Sequence, residues 1–211
     1  MAAWLLSLLL IGGPLAAAAG EGVPPPDACA SEPTFVAFRD ALRSAIAHKD
    51  ADHVLAVAAD DIQISFGDIR GREDFARMWE LDRPQSSRLW HELSEVLRLG
   101  CGLSGDGHFM SPMLGEGMTP DDDPFEVVIA VQPDAVLRSA PDEASDVVAR
   151  LSWDVLTVGS DGGSEHWIPV TMRDGRRGFV HRRHVRSLLD YRATFAKIDG
   201  RWRMTAFIAG D

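Results

Sequence analysis

Residues 191–211, "YRATFAKIDGRWRMTAFIAGD", restrict the fold more than any other stretch of this chain. Asp199-Gly200 suits a two-residue hairpin turn, whose central positions need positive φ. Counting outward from that turn pairs Tyr191 with Ile208, Ala193 with Ala206, Phe195 with Met204 and Lys197 with Trp202. Those residues share one face, which is largely apolar, and Arg192, Thr194, Arg201, Arg203 and Thr205 take the other. A lone hairpin is marginal in water and needs a further strand or a helical layer. The ribbon must therefore find its partners elsewhere in the chain.

The N-terminal part has the complementary deficit. "SEPTFVAFRDALRSAIAHKD" places Phe35, Phe38, Leu42, Ala45 and Ile46 at helical spacing, with Ser31 as a cap and Pro33 in the first turn. "ADHVLAVAAD" reads as a second, shorter helix. "GREDFARMWEL" and "SSRLWHELSEVLRLG" read as two more, the latter with Leu89, Leu93, Val96 and Leu97 on one face, Ser86 as cap and Gly100 as stop. Among these helices one strand is clear, "DIQISFGD", with Ile62, Ile64 and Phe66 on its buried side. The economical arrangement has the closing ribbon return to pair with that strand while the helices cover the shared apolar face. The expected fold class is α+β: helices on a small antiparallel sheet, built from residues 31–115 together with 190–211.

Between these halves, residues 102–124 are rich in Gly, Pro, Asp and Met without a period, and read as a loop or boundary. Short strands with Gly-rich turns then recur through "FEVVIAVQ", "AVLRSA", "VVARL", "VLTVGS", "WIPVTMR", "RGFVHR" and "HVRSLL". Many short strands in so short a stretch suggest a small all-β barrel, placed at residues 125–189 as an insertion. The stretch resembles a bacterial SH3-like (SH3b) domain over residues 127–188. The residues that carry the resemblance are Leu137-Arg138 with Pro141, Trp167 with Val170, and Gly175 with Gly178-Phe179-Val180. Asp154 and Pro169 depart from the pattern, and a proline inside a strand should sit at an edge or a bulge. The flanking helices, strand and closing ribbon faintly resemble the nuclear-transport-factor-2-like superfamily, a cone of helices on a curved sheet. That resemblance implies a pocket and no particular activity.

Location and covalent chemistry follow from the first hundred residues. Residues 1–19 carry no ionised side chain, an apolar run from Trp4 to Ile11 and an ending in small residues, which reads as a secretory signal peptide cleaved near Ala19. An uncleaved N-terminal anchor is the other reading. Residues 20–30 form a Pro-rich linker. Export to the periplasm or medium would make Cys29 and Cys101 a disulfide. Two buried free thiols are the alternative.

The net charge of −11 makes nucleic acid a poor partner. Against that background Arg173, Arg176, Arg177, Arg182, Arg183 and Arg186 face one acid, Asp174, in a single stretch. They either steer an anionic ligand or solvate a hairpin face. His181 and His184 lie three apart, but no nearby Glu or Cys completes a metal site, so no metal and no cofactor are expected. No nucleophile elbow, phosphate loop or dinucleotide fingerprint occurs, and no residue is assigned a catalytic role.

The SH3b resemblance implies a non-enzymatic module for a cell-wall component, such as peptidoglycan or a peptide, or for an envelope protein. Arg138 and Trp167 would lie near its groove, and Arg176, Arg177, Arg182 and Arg183 would form the electrostatic rim. The alternative is a small-molecule binder or enzyme with a pocket under the N-terminal sheet and Asp61, Trp79 or Trp90 at its mouth. A scaffold that contacts partners through both parts is a third reading.

Overall fold

A computed structural model describes residues 22–115 and 117–210. The expected signal peptide lies outside the described residues. The chain forms α1 (Pro33–His48), α2 (Ala51–Val57), β1 (Ala58–Gln63), α3 (Arg72–Met78) and α4 (Leu89–Arg98). Two short strands follow, β2 (Gly102–Leu103) and β3 (Phe109–Ser111). Next come β4 (Val127–Ala130), β5 (Val136–Arg138), β6 (Val147–Arg150), β7 (Val155–Val158), β8 (Trp167–Thr171), β9 (Arg177–His181) and β10 (Val185–Ser187). The last two strands are β11 (Arg192–Ile198) and β12 (Arg201–Ile208). Among the described residues no helix is long and apolar enough to cross a membrane.

The result is a mixed α+β protein with two sheets, ordered β1-β12-β11-β3-β2 and β10-β4-β7-β8-β9-β5-β6. The second sheet is drawn wholly from Val127 to Ser187, and the first takes strands from both sides of that stretch. Its ladder leaves β10 and β6 as edges and does not close on itself.

The first sheet differs from a simple antiparallel one, because β1 runs parallel to β12. The strand expected around Ile62 starts earlier, at Ala58, and stops at Gln63, so Phe66 lies beyond it and is exposed instead of buried. The stretch expected to be a loop supplies β2 and β3, and β3 pairs with β11. Those strands are too short for alternation to reveal.

In the closing hairpin Asp199 and Gly200 both take positive φ, as the turn requires. Phe195 pairs with Met204 and Lys197 with Trp202, but from Thr194 back the register shifts by one, so Thr194 meets Ala206, Ala193 meets Phe207 and Arg192 meets Ile208. The extra residue is Thr205, whose hydroxyl lies 2.9 Å from that of Thr194. A bulge of this kind cannot be counted from a turn.

Helix ends also differ from expectation. Glu32, not Ser31, caps α1 by accepting from the Thr34 N–H, while Ser31 donates to the Ala28 carbonyl. Ser87, not Ser86, serves α4: its hydroxyl accepts from Leu89 N–H and donates to the Trp79 carbonyl.

The helices cover one face of the first sheet through an aromatic core. The Phe35 ring centre lies 4.8 Å from Phe109, 4.9 Å from Trp202 and 5.3 Å from Phe195. In the same core Phe207 packs against Tyr191 and Trp79. The second sheet buries Leu137, Ala149, Leu156, Ile168, Val170 and Val180. All four residues of β4 are buried: Val128 and Ala130 face that core, and Val127 and Ile129 face a third cluster with Leu99 and Val155. Polar links across this seam include Arg98 Nη1 to the Val131 carbonyl and Arg186 Nη2 to the Tyr191 carbonyl.

Cys29 and Cys101 form the disulfide, both sulfurs fully buried. The bond ties the segment before α1 to the start of β2, across 72 residues of sequence. Replacing both with serine should lower unfolding free energy by about 4 kcal/mol in chemical denaturation, the chain-entropy worth of a loop this long. Phe195→Ala should cost about 3–5 kcal/mol in the same measurement, because the ring is wholly enclosed between α1 and the sheet.

Candidate ligand groove

The site is built where β8, β9 and β5 lie side by side. The β8–β9 hairpin turns through Arg173, Asp174 and Gly175, with Met172 N–H donating to the Arg176 carbonyl, so its loop has three residues. That loop length sets Trp167 opposite His181 and Ile168 opposite Val180. Even-numbered β8 residues then enter the core, and Trp167 and Pro169 take the outer face. Pro169 is neither on an edge strand nor at a bulge. Its carbonyl accepts from Gly159 N–H just past the end of β7, so its missing donor points where the ladder has already stopped.

β5 crosses closely against β9 at Gly178. A Cβ there would come within 2.3 Å of the Arg138 carbonyl, so only glycine admits the approach. Arg138 is thereby set opposite Phe179, and its Nη1 donates to the Ser145 carbonyl at 2.6 Å. A tight 3-10 turn, Arg182–His184, follows β9. Its cap is the His181 ring, whose Nδ1 accepts from the Arg183 N–H at 3.2 Å.

These elements enclose a cavity of about 280 Å³. Trp167 and the two histidines form its aromatic wall: the His181 ring lies 5.1 Å from Trp167 and 5.6 Å from His184. Arg138, Arg150 and Arg183 bring positive charge, and Asp134 and Glu143 bring negative. Arg183 joins the two signs, with Nη2 at 3.1 Å from Glu143 Oε1 and Nε donating to His184 Nε2 at 3.2 Å. Burial pushes the His181 imidazole below its ordinary range, and the Arg183 charge pushes the same way. His184 is lowered for the same leading reason, burial, against an opposing pull from Asp134.

Three of the six expected ligand residues meet here: Arg138, Trp167 and Arg183. The others do not join them. Arg176 lies at the hairpin tip and pairs with Asp174, Arg177 sits exposed beside it, and Arg182 donates to the Glu165 carbonyl. Arg173 reaches away to Asp122 and the Gly117 carbonyl. The arginine run is therefore dispersed over several directions, as side-chain alternation on a strand dictates. Arg150, Asp134 and Glu143 carry no signal in the sequence, and the spacing of His181 and His184 points only to the metal reading. Counting from a three-residue loop would have set His181 against Trp167.

The alternative pocket fares differently. Trp79 and Trp90 are 3% and 6% exposed and belong to the aromatic core, so they do not stand at a mouth. Asp61 is exposed on β1. A cleft of about 290 Å³ does open beside β1, where Arg72, Arg201 and Arg203 gather. Arg72 donates to the Ala58 carbonyl and Arg203 to that of Ala56, so both serve the C-terminal end of α2. Among the described residues, the one trio of metal-type side chains that converges is Asp27, Cys29 and Cys101, and its sulfurs are already bonded to each other.

Arg183→Ala should raise the pKa of both His181 and His184, since the guanidinium charge lowers each. Proton NMR titration of the two ring Cε1–H signals reads this directly, and a downward move would contradict the charge arrangement. No family model, curated protein or solved structure matches the chain.

Proposed function

We propose that this is an exported, non-enzymatic binding protein whose second sheet acts as an SH3-like module for a peptide-bearing envelope component such as peptidoglycan. The observation that carries the reading is the groove itself. A tryptophan lies at its wall, and fixed charges of both signs converge within one cavity. Such a lining suits a peptide that presents carboxylate and amine together, with an apolar side chain against Trp167. The buried disulfide fits a periplasmic or extracellular protein. On this reading the helix-covered first sheet is a nuclear-transport-factor-2-like support, its interior filled by aromatic side chains.

The test is retention of the mature protein on purified cell wall. Retention should be clear at low salt and weaken as ionic strength rises, because the Debye length shrinks to about 10 Å at 0.1 M. Arg138→Ala and Arg183→Ala should each weaken binding about tenfold, equivalent to about 1.4 kcal/mol. Arg176→Ala and Arg177→Ala, at the hairpin tip, should leave it unchanged. No retention at low salt would overturn the reading.

A further inference from the structure

We propose that acid releases the groove's ligand, because the corner carrying Arg183 holds together only while His181 and His184 are both uncharged. The inference rests on the groove being the binding site and adds its regulation.

Both rings face donors that cannot give up their protons. His181 Nδ1 accepts from the backbone N–H of Arg183, so a neutral His181 carries its proton on Nε2. His184 Nε2 accepts from Arg183 Nε–H, so a neutral His184 carries its proton on Nδ1. That Nδ1 is buried, and it has no hydrogen-bond partner among the described residues. In each ring a second proton must enter at the nitrogen already occupied by Arg183. It would turn an acceptor into a donor pointed at a donor, and would add positive charge beside a guanidinium.

The groups facing the two rings come from every neighbouring element. Arg183 lies within their own turn, Asp134 precedes β5, and Arg138 and Arg150 stand on β5 and β6. Glu143 lies in the β5–β6 connection, and His166, just before β8, stacks on His181 at 6.0 Å. Asp134, 4.0 Å from Nε2, favours protonation of His184 more strongly than the Arg183 guanidinium disfavours it, so the opposition there comes from burial. Glu143 is already engaged by Arg183. Burial therefore leads the opposition to charging at both rings, and at His181 the Arg183 charge adds to it.

The sign follows from linkage. Both imidazoles are lowered from an ordinary value of 6.5, so the closed corner is fully favoured above that pH and loses ground as pH falls below it. Protonation removes the cap of the Arg182–His184 turn and the His184 contact that orients the Arg183 side chain, leaving only the exposed Glu143 pair beside them, and Arg183 leaves the groove wall.

The experiment compares the mature full-length protein with His181→Asn/His184→Gln, using purified cell wall as probe at about pH 7.5 and about pH 5.5, either side of the ordinary histidine range. Asn Oδ1 takes the place of Nδ1 and Gln Oε1 that of Nε2, so both acceptors persist without titrating. Retention of the native protein should fall on acidification, by at most about tenfold per pH unit for each proton taken up. Retention of the double variant should not fall. A ligand-free readout runs alongside: protection of the Arg183 amide from hydrogen exchange, relative to its intrinsic rate at each pH, should drop in the native protein alone. Parallel acid loss in both proteins, or Arg183 protection independent of pH, would overturn the inference. Absence of retention at both pH values would instead overturn the cell-wall reading, and Arg183 protection would then decide the corner by itself.

Discussion

The contact between Phe35 and the closing hairpin organises the first half of this protein. Phe35 sits on α1 and meets Phe195 of β11, Trp202 of β12 and Phe109 of β3, so one ring on one helix reads three strands. Without it the helices would have an apolar face and no sheet to cover. The hairpin in turn would lack the helical layer that covers its apolar face. The disulfide works beside this contact, holding the entry to α1 against the start of β2.

β4 then couples that half to the second sheet. A strand with four consecutive buried residues has no solvent face, and here it has two cores, one on each side. The run "VVIA" is what such a strand needs, since alternation would place polar groups in one of the cores. Across the seam, Arg98 and Arg186 donate to backbone carbonyls. Burial holds Arg186 below its ordinary range, although the guanidinium stays charged at any physiological pH. The groove lies elsewhere on the second sheet, where β5, β8 and β9 run side by side.

Much of the groove was readable from local rules, and the rest was not. Leu137-Arg138, Trp167 and Gly178 carry the SH3b resemblance, and it is that resemblance that placed Arg138 and Trp167 near one groove. The arginine run suggested one electrostatic rim, yet Arg176, Arg177 and Arg182 point elsewhere, since neighbours in sequence on a strand or tight turn face different ways. Asp134, Glu143 and Arg150 come from three separate stretches and signal nothing individually. Trp79 and Trp90 were expected at the mouth of a pocket under the N-terminal sheet, but both belong to the aromatic core.

By itself the sequence determined the α+β class, the positions of the helices, the closing hairpin and its turn, and the pair of cysteines. All of these rest on periodicity, turn chemistry or composition, which act over a few residues or over the whole chain. Only the tertiary structure decided that β1 runs parallel to β12, that β2 and β3 extend the first sheet, that Thr205 bulges, and that two histidines share Arg183 as a donor. Those outcomes depend on contacts between distant segments, where packing and hydrogen-bond geometry override any preference that a short stretch carries.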